Sequence, residues 1–364
     1  MNDATPTPSL IIDLPTVKRN IAKLAAYGRE HNLAIRPHTK THKSIRMAKL
    51  QLEAGAAGLT VAKVGEAMTM AEAGRDIFIA YPALDPWRRE RLANLAKTHA
   101  LRVGFDSKEA ADLIGEAAGA AGATIGVLVD LDVGFHRTGV QTPQEALELA
   151  RHVNKTKGLR LDGIMCFPGH LKWSADELKT KWFPGIQQTL AETIELFRRD
   201  GLETKIVSGG SSPTAYLSHY LPAITEIRPG TYIYNDMNSV AIGFASLADC
   251  AARLTCTVVS TAVPGKFVID AGSKSLTSDR RAIDGDTAGH GHIVEYPGAN
   301  IVRLSEEHGE VKLPEGARGP KIGERVHVIP NHICPCVNLQ TMAWVRDEGG
   351  KTEPMPIDAR GMVW

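Results

Sequence analysis

The sequence predicts an α/β protein, with a closed (β/α)8 barrel over residues 10–240 followed by a β domain over residues 246–364. Three observations lead there. Short apolar runs alternate with amphipathic, alanine-rich segments from residue 33 to 235, as parallel βα units do. The alternation stops near Ser246 and gives way to short β-rich runs separated by turn residues. A length of 364 residues also exceeds what one typical core fills, so about two domains are expected.

The apolar runs of the first part are 33–36, 58–62, 77–80, 101–105, 125–131, 159–165, 205–207 and 224–227, which makes eight strands. Helices are expected at 43–54, 63–73, 86–98, 108–121, 142–154 and 175–200, with a short one near 213–219 and another, 15–31, ahead of the first barrel strand. Strict alternation of this kind suggests a TIM barrel. An open doubly wound sheet shares the alternation, but no Gly-x-Gly-x-x-Gly follows the first strand. In the second part, strands are expected at 254–263, 266–270, 293–296, 300–304, 325–329 and 341–345, while the run 10–14 could join either domain.

Composition narrows the function. A formal net charge of +1 and 23% charged residues give no electrostatic reason to expect nucleic acid or an anionic membrane as partner. No apolar run approaches the roughly 18 residues of a membrane span. The five cysteines are an odd number, and residues 1–9 lack the apolar core of a secretory signal, so a reducing, cytoplasmic setting is expected.

In such a barrel the reacting groups sit at the C-terminal ends of the strands. After the first strand comes Arg36-Pro37-His38-Thr39-Lys40-Thr41-His42-Lys43. A lysine buried there can form a Schiff base with pyridoxal phosphate (PLP), because burial among other cations favours the neutral, nucleophilic amine. An exposed basic loop is the alternative reading. The seventh strand runs into Gly209-Gly210-Ser211-Ser212 and the eighth into Pro229-Gly230-Thr231, the recurrent phosphate position of such barrels, so Gly210, Ser211, Gly230 and Thr231 are candidates for the cofactor phosphate. Arg137, after the fifth strand, can bond the PLP ring oxygen or a substrate carboxylate, or else pair with Asp130 or Asp132. His170, after the sixth, is a candidate acid or base.

In the second domain Asn331-His332-Ile333-Cys334-Pro335-Cys336 follows an apolar strand. In extended chain His332 and Cys334 point to one face, the minimum for two ligands of a metal ion. Imidazole with thiolate selects zinc first, with manganese and magnesium as alternatives, and two protein ligands leave positions open for substrate. Cys336 shares that face as a conceivable third ligand. A buried histidine beside two small buried thiols is the structural alternative.

On these residues the sequence resembles the PLP enzymes of the alanine racemase type of barrel (fold type III), and within them the D-threonine aldolase and D-serine dehydratase group, over nearly the whole chain. Lys40 in Arg-Pro-His-Thr-Lys-Thr-His-Lys matches the Schiff-base lysine, and His332 and Cys334 in Pro-Asn-His-Ile-Cys-Pro match the metal pair. Arg137 in His-Arg-Thr-Gly resembles the arginine beside the PLP ring oxygen, and the Gly210-Ser211 and Gly230-Thr231 loops resemble the phosphate cup. The resemblance implies a homodimer acting on small D-3-hydroxy amino acids. His-x-Cys with zinc marks the dehydratases and His-x-Asp with a harder ion the aldolases, so the pair here implies β-elimination. His170 in Pro-Gly-His-Leu resembles the aldolases' base for the β-hydroxyl, which keeps retro-aldol cleavage as the alternative. A metal-free racemase and a non-enzymatic PLP carrier are more remote, the latter because of the added β domain.

Overall fold

The computed structural model describes residues 5–170, 174–281 and 289–364. Among these the chain forms two compact units. One comprises Ala22–Lys40, Ser44–Gly230 and Met362–Trp364, and the other the segment through Ile21, Thr41–Lys43 and Thr231–Gly361. The chain thus leaves the first unit at the Lys40–Thr41 peptide and returns to it after Lys43.

Strand β1 (Ser9–Asp13) opens the second unit, and its burial alternates so that Leu10 and Ile12 are fully covered. The first unit is an eight-stranded parallel sheet of β2 (Ala34–Ile35), β3 (Leu59–Val61), β4 (Asp76–Ile79), β5 (Ala100–Phe105), β6 (Ile125–Asp130), β7 (Leu159–Met165), β8 (Ile206–Gly209) and β9 (Glu226–Ile227). Its order is β2-β9-β8-β7-β6-β5-β4-β3, and a parallel bridge from His38 to Thr60 joins the two ends, so the sheet curls back on itself. This is the expected (β/α)8 architecture, with the strands buried on both faces as parallel sheets are.

The helices between the strands start where capping chemistry predicts. Asp85 accepts from Arg88 N ahead of Pro86, Ser107 from Ala110 N, and Thr142 forms a reciprocal box with Glu145. The expected helix 175–200 is instead Ala175–Glu177, a π-helical turn Leu178–Trp182, and Phe183–Arg199.

Barrel-interior charge is compensated near the strands' N-terminal halves. Arg36 donates from Nε to Glu226 (2.7 Å) and from Nη1 to Asp76 (2.6 Å). Arg102 bridges Asp76 (2.6 Å) and Asp162 (2.9 Å). Although Arg36 stands four residues before Lys40, its guanidinium is thus spent on these carboxylates.

The second unit carries a nine-stranded sheet that adds to β1 the strands β10 (Ala252–Ser260), β11 (Lys266–Ile269), β12 (His292–Ile293), β13 (Asn300–Leu304), β14 (Gly309–Lys312), β15 (Arg325–Ile329), β16 (Met342–Arg346) and β17 (Thr352–Pro356). β1 lies inside it, antiparallel to β10 and parallel to β16, which settles the allegiance of the run 10–14. The strands β14 and β17 escaped prediction because Gly-Glu-Val-Lys and Thr-Glu-Pro-Met-Pro contain no apolar run. After β15 the chain enters the helix Ile333–Leu339.

Candidate active site

In the first unit a cavity of about 390 Å³ opens at the C-terminal ends of the strands. Lys40, Lys63, Arg137 and Arg228 bring four basic side chains to it, and Asp130 one carboxylate; Gly210 and Phe167 also line it. Lys40 is exposed rather than buried, which corrects the expectation that a buried position frees its amine. Its backbone N–H faces His38 Nδ1 at 3.4 Å.

Arg137 sits on a loop closed by Asp132, whose carboxylate accepts from the amides of Gly134, Phe135 and His136 at 3.0–3.1 Å and pairs with His136 Nδ1 at 2.7 Å. The alternative of an Arg137–Asp132 bridge fails because that carboxylate is already engaged. The Arg137 guanidinium instead rests near the faces of Phe135 (5.0 Å) and Phe167 (4.7 Å). Burial pushes the Asp130 carboxyl up to about 6, against the pull of Thr138 and Arg228. Arg228 is buried and donates to Ser208 Oγ (2.7 Å) and the Cys166 carbonyl (2.8 Å), neither of them charged.

The phosphate loops divide. Gly210 adopts φ +72, and a Cβ there would stand 3.0 Å from Ile227, so the close turn depends on glycine. Ser211 is buried, its N–H held by Thr214 Oγ1, and Gly230 N–H faces Ser212 Oγ at 3.3 Å. Thr231 belongs to the other unit, where its hydroxyl lies 3.9 Å from Cys334 Sγ. A cavity of this size, with an accessible lysine, excess positive charge and a glycine turn that a side chain would fill, fits PLP.

His170 stacks on Phe135 and meets Trp182 edge-on, and neither ring nitrogen has a hydrogen-bond partner among the described residues. Burial pushes its pKa down, which favours the neutral imidazole a base requires. It does not contribute to the cavity lining.

In the second unit His332 is extended, at φ −135, directly ahead of the helix that carries Cys334. The two are not on one face of an extended strand, yet their side chains hydrogen-bond. His332 Nδ1 pairs with Asp279 Oδ2 at 2.7 Å, and Thr41 Oγ1 lies 3.2 Å from Cys334 Sγ. Burial alone would lower the imidazole pKa, but Cys334, Asp279 and Asp236 hold it up at about 9. Cys336 is turned away: its thiol is buried, donates to the Ser275 carbonyl at 3.3 Å, and is pushed up to about 12 by burial. In this arrangement its thiol is engaged by Ser275 rather than by His332 or Cys334. Among the described residues no cluster of three or more His, Cys, Asp or Glu side chains is arranged to hold a metal ion. A histidine with its far nitrogen on a carboxylate, beside a thiol braced by a hydroxyl, is nonetheless a donor set that suits a zinc-like ion.

Sequence reading missed Asp279, Lys63, Tyr81 and Arg228. Lys63 could have been found by the rule that found Lys40, since it stands just after the second strand, and Arg228 opens the loop that was read only for Gly230 and Thr231.

A lysine-lined cavity at the mouth of a parallel barrel, with a β domain beside it in sequence, defines the PLP enzymes of the alanine racemase fold. The profile of the alanine racemase N-terminal domain matches residues 12–238, and that of a putative serine dehydratase domain matches residues 251–345. The chain belongs to this family, as one of its PLP-dependent D-amino acid lyases. It is 30% identical to a D-threonine aldolase of an Arthrobacter species over 98% of its own length and 93% of the relative's. It is 31% identical to the D-threo-3-hydroxyaspartate dehydratase of Delftia sp. strain HT23 over 90% of each. The crystal structure of D-threonine aldolase from Filomicrobium marinum superposes with a TM-score of 0.90 at 30% identity, covering 99% of this chain and 97% of that one. Alanine racemase of Bacillus anthracis, at 18% identity and a TM-score of 0.73 over 97% of this chain and 98% of that one, shares the fold.

Proposed function

We propose that this protein is a PLP- and divalent-metal-dependent lyase of D-3-hydroxy amino acids, and that its reaction is β-elimination to a 2-oxo acid and ammonia. The observation that carries this is the His332–Cys334 pair, braced by Asp279 and Thr41. PLP, when bound, supplies an electron sink for the negative charge that develops at the substrate α-carbon. Lys40 Nζ holds the cofactor and, as a free amine, accepts the α-proton. Arg137 bonds the cofactor ring oxygen, and the Gly210-Ser211 and Gly230-Thr231 loops receive its phosphate. His332, through Nε2, and Cys334, through Sγ, hold the ion, zinc before manganese or magnesium, which supplies Lewis acidity to the β-hydroxyl. Asp279, accepting from Nδ1, would fix the tautomer in which Nε2 could turn its lone pair to the ion in place of its contact with Cys334. Thr41, whose Oγ1 touches Cys334 Sγ, directly follows Lys40 in sequence.

Retro-aldol cleavage to glycine and an aldehyde is the second reading. It is favoured by His170, whose two unpartnered, buried ring nitrogens could accept the β-hydroxyl proton. Incubation with D-serine, D-threonine and D-threo-3-hydroxyaspartate, followed by assay of 2-oxo acids, ammonia, glycine and aldehydes, chooses between them. Glycine and acetaldehyde alone from D-threonine would sink the elimination reading. The proposal includes a homodimer, which sedimentation measures, and a reducing compartment such as the cytoplasm, which suits five free cysteines. Among the described residues no helix is long and apolar enough to cross a membrane.

A further inference from the structure

The proposed chemistry leaves two cavity cations without a task, and of these Arg228 is already committed to Ser208 Oγ and the Cys166 carbonyl, which leaves Lys63. It follows β3, is half-buried, and lines the cavity together with Lys40. Its Nζ lies 3.5 Å from the centroid of the Tyr81 ring, and Tyr81, just after β4, lines the same cavity. Among the described residues no carboxylate lies within ion-pair distance of it. The one carboxylate of the lining, Asp130, is bonded to Thr138 and faces Arg228 and Arg137. An aromatic face stabilises a cation but does not neutralise it, so a half-enclosed lysine held only in this way is prepared for an anion from solution.

The strand order says which anion. Around the sheet, β9 and β8 follow β2 on one side, and the His38–Thr60 bridge leads to β3 and β4 on the other. The glycine loops proposed for the phosphate therefore flank Lys40 on one side, and Lys63 with Tyr81 on the opposite side. Besides the phosphate, two anionic groups would need cationic partners in the cavity: the cofactor ring oxygen and the substrate carboxylate. Arg137, arriving from the end of β6, is the partner proposed for the first. We infer that Lys63, braced on the ring of Tyr81, is the specificity residue that binds the carboxylate of the D-amino acid substrate. This rests on the PLP-dependent D-amino acid reading above.

The test uses the PLP-loaded enzyme and the variants Lys63→Met and Lys63→Arg. The cofactor band should keep its position and stoichiometry in both. KM for the D-3-hydroxy amino acid turned over by the wild type should rise about 10- to 100-fold in Lys63→Met, with kcat within a few-fold, and Lys63→Arg should recover part of the loss. D-Alanine, which has no β-hydroxyl to eliminate or cleave, should perturb the band of the wild type at concentrations at least about 10-fold lower than in Lys63→Met. Loss or displacement of the cofactor band in Lys63→Met would make the lysine a cofactor ligand and overturn the inference. So would unchanged KM and unchanged D-alanine binding. If the wild type turns over no D-3-hydroxy amino acid, the reaction proposed above fails, while the D-alanine titration still decides the role of Lys63.

Discussion

Lys40 and Asp130 share one cavity but owe their chemistry to different causes. Lys40 is open to the cavity and available for covalent attachment of the cofactor. Lys40→Ala should remove the visible band of covalently held PLP and lower turnover by at least about 10³-fold, as read by absorbance and product assay. Asp130 is enclosed, and burial lifts its carboxyl from an ordinary 3.8 to about 6. Between those values the folded protein holds a proton that the unfolded chain has released, so stability falls as pH rises through this window. Relative to Asp130→Asn, the cofactor-free wild type should lose on the order of 2 kcal/mol between pH 4 and 6, measured by urea unfolding. In the metal pair, Asp279→Asn removes the charged partner of His332 Nδ1. It should weaken zinc binding about 10- to 100-fold in a chelator competition, with the fold unchanged by circular dichroism.

The barrel strands place charge at both of their ends, and only one end is for chemistry. Arg36, Glu226, Asp76, Arg102 and Asp162 form a chain of ion pairs, and Glu226 also accepts from Ser208 Oγ, which in turn accepts from Arg228 of the cavity wall. Arg36→Leu leaves Glu226 buried without its guanidinium partner. It should cost about 3–5 kcal/mol of unfolding free energy, because an uncompensated buried charge is worse than none. The strands themselves were legible in the sequence because buried parallel strands are continuous apolar runs. Their ion pairs were not, since Arg36 and Glu226 lie 190 positions apart and meet only when the sheet closes.

At the scale of the whole chain, two units each hold part of the proposed machinery, the PLP cavity in one and the metal pair in the other. If both serve one reaction, chelation should separate their contributions. Treatment with EDTA should abolish elimination while leaving the cofactor band in place, and added zinc should restore turnover. The second unit was harder to foresee than the first. Ser9 of β1 pairs with Thr255 of β10, far along the chain, and the helix Ile333–Leu339 replaces an expected extended segment.

The sequence by itself determined the class of fold and the order of the barrel strands and helices, and it nominated Lys40, Arg137, His332 and Cys334 as site residues. These follow from period, punctuation and short local motifs, which are properties of neighbouring residues. Only the tertiary structure decided that Lys40 is open to its cavity, that Arg36 belongs to the barrel interior, that Cys336 faces Ser275 rather than a metal, and that Asp279 stands behind His332. It also brought Lys63 to the wall that Lys40 lines. The reason is physical: a side chain's charge and reach are written in its type, but its partners are set by loop closure over tens to hundreds of residues, which no local pattern records.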